Sequence, residues 1–312
     1  MRNAFAKEVT RLAGLDSSVV LLSGDIGNRL FDDFKSRFPD RFYNCGVAEA
    51  NMMSMAAGMA SCGLRPVVYT ITPFLTYRCM EQIRDDVCYH HQRVVIVGTG
   101  AGLSYASLGT THHSCEEMGM LRLLPELTVL APADPAEVRM TLAAALQHEG
   151  PVYIRIGKKG EPAIHSETPA WRIGEAIPLR EGNEVAMLCA GTLLQECMQA
   201  AEELASHGCS ASVWSFPTVK PLNTELLGRI FAGHRVVATV EEHSVLGGLG
   251  GSVAEWLCDQ PPLPARLVRI GTPDAFLHRN GEQEHARELL GLTPGAMASR
   301  LREQLNAYSS PR

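Results

Sequence analysis

The first group in this sequence whose setting suits chemistry is a carboxylate at the head of a helix. Glu49 stands in Tyr43-Asn-Cys-Gly-Val-Ala-Glu49-Ala-Asn-Met, where a helix rich in methionine and small residues is predicted to begin. An acid there favours the helix dipole whatever else it does. The helix it heads is apolar, with Met52 and Met53 in its first turns. Gly98-Thr-Gly100-Ala-Gly102 follows a strong apolar run, but Leu103 falls where a dinucleotide fingerprint needs its third glycine. The residues after it show no helical pattern to seat a pyrophosphate, so the segment reads as a glycine-rich active-site loop. His90, His91, His112, His113, Cys115 and Glu116 fit no standard zinc spacing. They read as helix-end residues or substrate contacts, and no metal site is expected in this chain. Gly247–Ser252 lacks the lysine of a phosphate-binding loop and reads as a tight strand-to-helix turn.

These residues need a scaffold, and the pattern around them supplies one. Short β-branched runs at 19–22, 66–71, 94–97, 128–130 and 152–156 alternate with predicted helices at 49–62, 75–89 and 135–149. Asp134-Pro135 is a good helix start, an acceptor followed by proline at the first helical position. A polar stretch at 157–169 then reads as a linker. A second series follows, with strands near 184–188, 212–215, 236–240 and 266–270 and helices near 193–207, 248–257 and 282–290. Such alternation predicts an α/β protein of two doubly wound domains with mostly parallel sheets.

Bulk properties narrow the function classes. The 312 residues suffice for two domains with cores of their own, and 46% hydrophobic with 20% charged residues is a globular composition. A net charge of −6 gives no electrostatic reason to expect nucleic acid or an anionic membrane. Nine cysteines, none spaced C-x-x-C, point to free thiols in a reducing compartment. The amphipathic start (Phe5, Val9, Leu12) shows no signal-peptide pattern, and a cytoplasmic location is expected.

The segment around Glu49 resembles the pyrimidine-domain motif of transketolases and 1-deoxyxylulose-5-phosphate synthases. Pro73-Phe-Leu-Thr-Tyr77 is similar to their T-F-L-x-F segment, and Gly109-Thr-Thr-His112-His113 to their G-P-T-H-Q loop. The stretch from Leu123 to Asp134 matches the following strand and turn almost residue for residue. Glu241-Glu-His-Ser with its glycine run resembles the C-terminal domain of the same families. The likeness covers nearly the whole chain in order. It implies a pyrimidine-binding domain over 1–160, a linker over 161–174 and a transketolase C-terminal domain over 175–312.

What the resemblance implies about chemistry follows residue by residue. Thiamine diphosphate is the expected cofactor, with Glu49 on its aminopyrimidine, Phe74 and Tyr77 packed against that ring, and Met80 where the family often has a third aromatic. Asp25 matches a loop lining the cofactor cleft. His112 would meet the substrate's carbonyl or hydroxyl oxygens, with His113 beside it, and Arg2 and Lys158 align with sugar-phosphate ligands. The earlier domain that holds Mg²⁺ and the diphosphate has no counterpart here. Ser23-Gly-Asp25-Ile-Gly-Asn28 lacks the second glycine of its G-D-G motif. A separate N-terminal-type subunit is therefore expected to hold Mg²⁺ and the diphosphate, in an α2β2 assembly. Gly100 and Leu108 stand where transketolases commonly have a histidine and an aspartate, which implies a less polar pocket and a deoxy or otherwise modified carbonyl substrate. The expected activity is ketol transfer. The alternatives are the β subunit of a 2-oxoacid dehydrogenase or a decarboxylating synthase, and a non-catalytic structural or regulatory paralogue.

Overall fold

The computed structural model describes residues 1–309 except Asn28, Lys159 and Asn280. Twelve strands form two sheets among the described residues. They are β1 (Val19–Ser23), β2 (Phe42–Asn44), β3 (Arg65–Ile71), β4 (Val95–Thr99), β5 (Thr128–Leu130) and β6 (Val152–Ile156). There follow β7 (Ile177–Arg180), β8 (Val185–Ala190), β9 (Ala211–Ser215), β10 (Thr218–Lys220), β11 (Val236–Ser244) and β12 (Arg266–Thr272). The first sheet has the order β10-β5-β6-β4-β3-β1-β2 and is parallel except for β10, which runs antiparallel to β5. The second has the order β12-β11-β8-β9-β7, with only β7 antiparallel. The expected α/β class of two doubly wound units with mostly parallel sheets is the architecture observed.

Strand alternation sends side chains to opposite faces, and both faces are dry. In β1, Val19 and Leu21 join a core under the helices Arg2–Leu15 and Pro135–Gln147. Val20 and Leu22 enter a second core with Met52 and Met53 of the helix Glu49–Ser61. The same period of two splits β8. Val185, Met187 and Cys189 pack with Leu194 and Met297, while Ala186, Leu188 and Ala190 face the core that also holds Val68 and Ile96 of the first sheet. One apolar core thus runs between the two sheets.

Several predicted elements differ in detail. The helix expected over 75–89 is broken into Thr72–Thr76, Met80–Gln82 and a π-helical segment Ile83–Tyr89. Its first turn starts earlier than expected because Pro73 takes a first-turn position, where its missing N–H costs nothing. The short strands β2, β7 and β10 lie at or near sheet edges and were not expected, since three or four residues leave no readable alternation. β11 extends to Ser244, four residues beyond the predicted run, and carries Glu241 and Glu242 into the interior.

Asp134 does two jobs at once. Its Oδ1 accepts from the N–H of Glu137 at 2.8 Å, capping the helix Pro135–Gln147. Its Oδ2 accepts from the N–H groups of Ile164 and His165, each at 2.9 Å, and so pins the connecting segment to the first sheet's helix layer. Asp134→Ala strands three donors and is expected to cost about 2 kcal/mol or more, read as a lower urea midpoint at unchanged slope. A shift below about 0.5 kcal/mol would show these bonds to be idle.

Candidate active site

The loops after β1, β2, β3, β4 and β6 all leave the carboxyl ends of parallel strands, where open α/β sheets bind ligands. The chain goes outward from β1 to β2, then crosses to β3 on the other side of β1. That reversal opens the crevice expected at such a switch point, and the loops carrying Asp25, Glu49 and Phe74 leave the neighbouring strands β1, β2 and β3 there. The first of these loops is tightly packed where it leaves β1: a Cβ on Gly24 would stand 2.7 Å from the Thr70 hydroxyl on β3.

Glu49 is buried and heads its helix. Met52 and Met53, expected as its apolar surroundings, belong to the core below, and the group that meets the carboxylate is Arg78. Arg78 Nη1 donates to Glu49 Oε2 at 3.1 Å, while its guanidinium lies 4.4 Å from the centroid of Phe74. A planar cation therefore bridges the acid and the aromatic face. His112 packs edge-on against Phe74, with ring centroids 5.1 Å apart. The Thr111 hydroxyl lies 3.0 Å from His112 Nδ1. Burial, and secondarily His113, lower the His112 pKa and so favour the neutral ring. Glu49, Phe74 and His112 are thus brought together.

The other expected residues are placed differently. Tyr77 is in no ring contact with Phe74; its hydroxyl donates to Glu116 Oε2 at 2.6 Å. It lines a cavity of about 140 Å³ between the two units, with Leu103, His113, Cys115 and Phe276. Burial, with Glu117 and Glu116 adding negative charge, raises the Tyr77 pKa. Met80 packs at the margin of the core shared by the sheets. Asp25 is exposed and accepts from Asn44 Nδ2 at 3.1 Å, beside the turn that leads into Glu49. His113 is buried, its Nε2 3.2 Å from the carbonyl of Ala106. Asn28 lies outside the described residues.

Arg2 and Lys158 do converge, on a residue the motif reading passed over. Lys158 Nζ sits 4.7 Å from the centroid of Tyr105, and Arg2 interacts with the Tyr105 hydroxyl. The Nε of Arg2 is buried without a partner among the described residues. Tyr105 also faces His112 edge-on at 6.0 Å. This ring accounts for Gly100: a Cβ there would stand 2.1 Å from Tyr105 Cε2, so the tyrosine leaves no room for a side chain at that position. Leu108 is 52% exposed at the mouth of the same loop. Arg78 and Tyr105 are the functional candidates that sequence reasoning missed. Both lie within a few residues of recognised motifs, but the acid that Arg78 binds and the two cations that meet Tyr105 are distant in the chain.

Two family models match in tandem: the transketolase pyrimidine-binding domain over residues 1–161 and the transketolase C-terminal domain over 174–297. The chain belongs to the transketolase family. That family depends on thiamine diphosphate, and this subunit is a transketolase-type transferase component, as its motifs led one to expect. It is 36% identical over 294 residues to the 6-deoxy-6-sulfo-D-fructose transketolase subunit SqwH of Clostridium sp. (strain MSTE9), covering 94% of this chain and 90% of that one. It is 35% identical to a subunit of the apulose-4-phosphate transketolase of Actinobacillus succinogenes, covering 83% of each. Among solved structures, a split-gene transketolase described as an inactive β4 tetramer superposes with a TM-score of 0.88 at 33% identity, covering 98% of this chain and 97% of that one. A 1-deoxy-D-xylulose-5-phosphate synthase from Synechococcus sp. (strain JA-2-3B'a(2-13)) matches 97% of this chain at 35% identity, but only 47% of its own length is covered.

The residues present fit the pyrimidine end of the family's coenzyme. The guanidinium of Arg78 already makes the two contacts such a ring would need: a donated hydrogen bond to Glu49 and a stack on Phe74. Among the described residues no group of three His, Cys, Asp or Glu side chains is placed to hold a metal ion. No described helix is long and apolar enough to cross a membrane.

Proposed function

We propose that this chain is the pyrimidine-binding half of a split ketol transferase, completed by an N-terminal-type subunit in an α2β2 assembly. The observation that carries the proposal is the contact of Arg78 with both Glu49 and Phe74, which makes the position of its guanidinium a slot that a flat, hydrogen-bond-donating ring could take. Thiamine diphosphate supplies carbanion chemistry when bound. Glu49 would hold a proton at a nitrogen of the bound ring, and Phe74 would set the ring plane. Arg78 would have to move aside, since both cannot occupy one slot. Asp25 lines the crevice, and Met80 and Tyr77 support the segment that presents Phe74. Mg²⁺ and the diphosphate belong to the partner subunit.

His112 contacts substrate oxygens, with His113 holding its loop. Arg2 and Lys158, held against Tyr105, receive an anionic end of the sugar. The relatives named for 6-deoxy-6-sulfo-D-fructose and apulose 4-phosphate support a modified sugar as substrate. So does Leu108, which cannot accept a hydrogen bond from a sugar hydroxyl. Free thiols at all nine cysteine positions support a reducing, cytoplasmic location.

The test is reconstitution. Calorimetry with Mg²⁺ and thiamine diphosphate is expected to show tight binding only when this chain and its partner are mixed, with ketol transfer appearing in the same mixture. Full activity of the isolated chain, or coenzyme binding without the partner, would refute the divided site. Equal rates with unmodified xylulose and ribose phosphates would refute the modified substrate while leaving the divided site standing.

A further inference from the structure

The second unit reaches into the loop that carries His112 through one buried carboxylate. Glu242 follows the end of the predicted strand, in the extended part of β11, and is 1% exposed. Its Oε1 accepts from the backbone N–H of Leu103 at 2.7 Å and from Gln283 Nε2 at 2.8 Å. Its Oε2 is held by Arg287, which also binds Glu196 and, at 3.2 Å, the Thr192 hydroxyl. Among the described residues every other hydrogen-bond partner of this carboxylate lies in the C-terminal unit, so the bond to Leu103 is the one that crosses.

Leu103 lies within the glycine-rich loop and is buried. The neighbouring Gly102 has φ +58°, and a Cβ on it would stand 2.6 Å from Glu242 Oε1 and from the Glu242 carbonyl, so the backbone lies directly against the acid. The Gly102 carbonyl accepts from the N–H of Ser114 at 2.9 Å, and the Ala106 carbonyl holds His113. Both ends of the turn that presents His112 are therefore referred to the stretch fixed by Glu242. A small apolar cluster of Leu103, Ala106 and Cys115 with Ala286, on the helix Gln283–Leu289, backs the same contact.

We infer that Glu242 is a positioning residue for the substrate-facing loop, acting through Leu103 and Gly102 on His112, and that the C-terminal unit works as a clamp on that loop. The inference rests on the assignment of His112 to substrate. An amide in place of the acid turns an N–H₂ group toward Arg287 or toward Leu103, so one donor is left facing a donor. The loop then loses its fixed reference while Glu49 and Phe74, on other segments, keep theirs.

The experiment compares Glu242→Gln with the parent in the reconstituted complex. Expected are a fall of about tenfold to a hundredfold in kcat/KM, dominated by a raised KM for the sugar acceptor. Thiamine diphosphate affinity should stay unchanged. Amide hydrogen exchange should speed up across 100–114 and not across 49–61. Gln283→Ala removes one donor without disturbing the Arg287 pair, and should move exchange in 100–114 the same way to a smaller extent; it decides the matter if Glu242→Gln does not fold. Unchanged exchange in 100–114, or a loss of protection spread evenly over both units, overturns the inference. If His112→Ala leaves KM unaltered while Glu242→Gln loosens the loop, the substrate assignment fails and the clamp survives.

Discussion

Glu49→Gln should lower turnover of the reconstituted enzyme by about 10²–10⁴-fold, the usual worth of a proton held at the reacting group. The carboxylate is buried, and nothing else in the slot can take its place: Arg78 only donates, and Phe74 has no polar atom. Glutamine keeps the shape and can still accept a hydrogen bond, but cannot exchange a proton, so coenzyme affinity should fall far less than kcat. The two are separated by calorimetry on the complex and by steady-state rates at saturating coenzyme. Turnover within a factor of about three of the parent would remove Glu49 from the mechanism. Arg78→Ala serves as the companion variant. It empties the slot without touching the acid, and coenzyme binding should then be as tight as in the parent or tighter.

The second large effect concerns stability. Arg155 and Glu117 form an ion pair at 2.7 Å, with 2% and 0% of their side chains exposed. Arg155 Nη2 also donates to the carbonyl of Ser114 at 2.9 Å and to that of Glu242 at 3.3 Å, so the pair sits where the two units meet. Glu117→Ala leaves a guanidinium in the interior without its counter-charge and is expected to cost about 3–5 kcal/mol. Equilibrium urea unfolding would measure this. Replacing both residues together, Glu117→Leu with Arg155→Met, should recover most of the loss, because the penalty comes from the orphaned charge rather than from losing the pair itself. A single-variant loss below about 1 kcal/mol would mean that water reaches the site.

The strands that build the first sheet's centre were readable because each is a β-branched run buried on both faces; β3, β4 and β6 are such runs. β10 was not readable, because three residues next to a proline give no period to detect. The helix starting at Pro135 was legible from its cap chemistry alone, whereas the break between Phe74 and Met80 leaves no mark on an otherwise helical pattern. Glu49, Phe74 and His112 were recognisable by motif, and the fold brings them together. Arg78 is a cation near a known segment, and only folding shows that it lies 29 positions from the acid it binds. Glu242 is 139 positions from Leu103. Contacts of that span carry no local signature, so a one-dimensional reading finds the side chains that touch ligands more readily than those that hold them still.

β10 belongs by sequence to the second unit but pairs with β5 of the first, matching Thr218 to Leu130. Besides its side-chain contacts, the seam between the halves is thus held by two runs of backbone, the covalent thread near residue 165 and this returning strand. A gene cut at that thread would yield a front piece whose β5 edge is bare, with unpaired N–H and C=O groups inviting another chain to pair there. The first sheet is therefore closed at that edge only while both units stay on one chain.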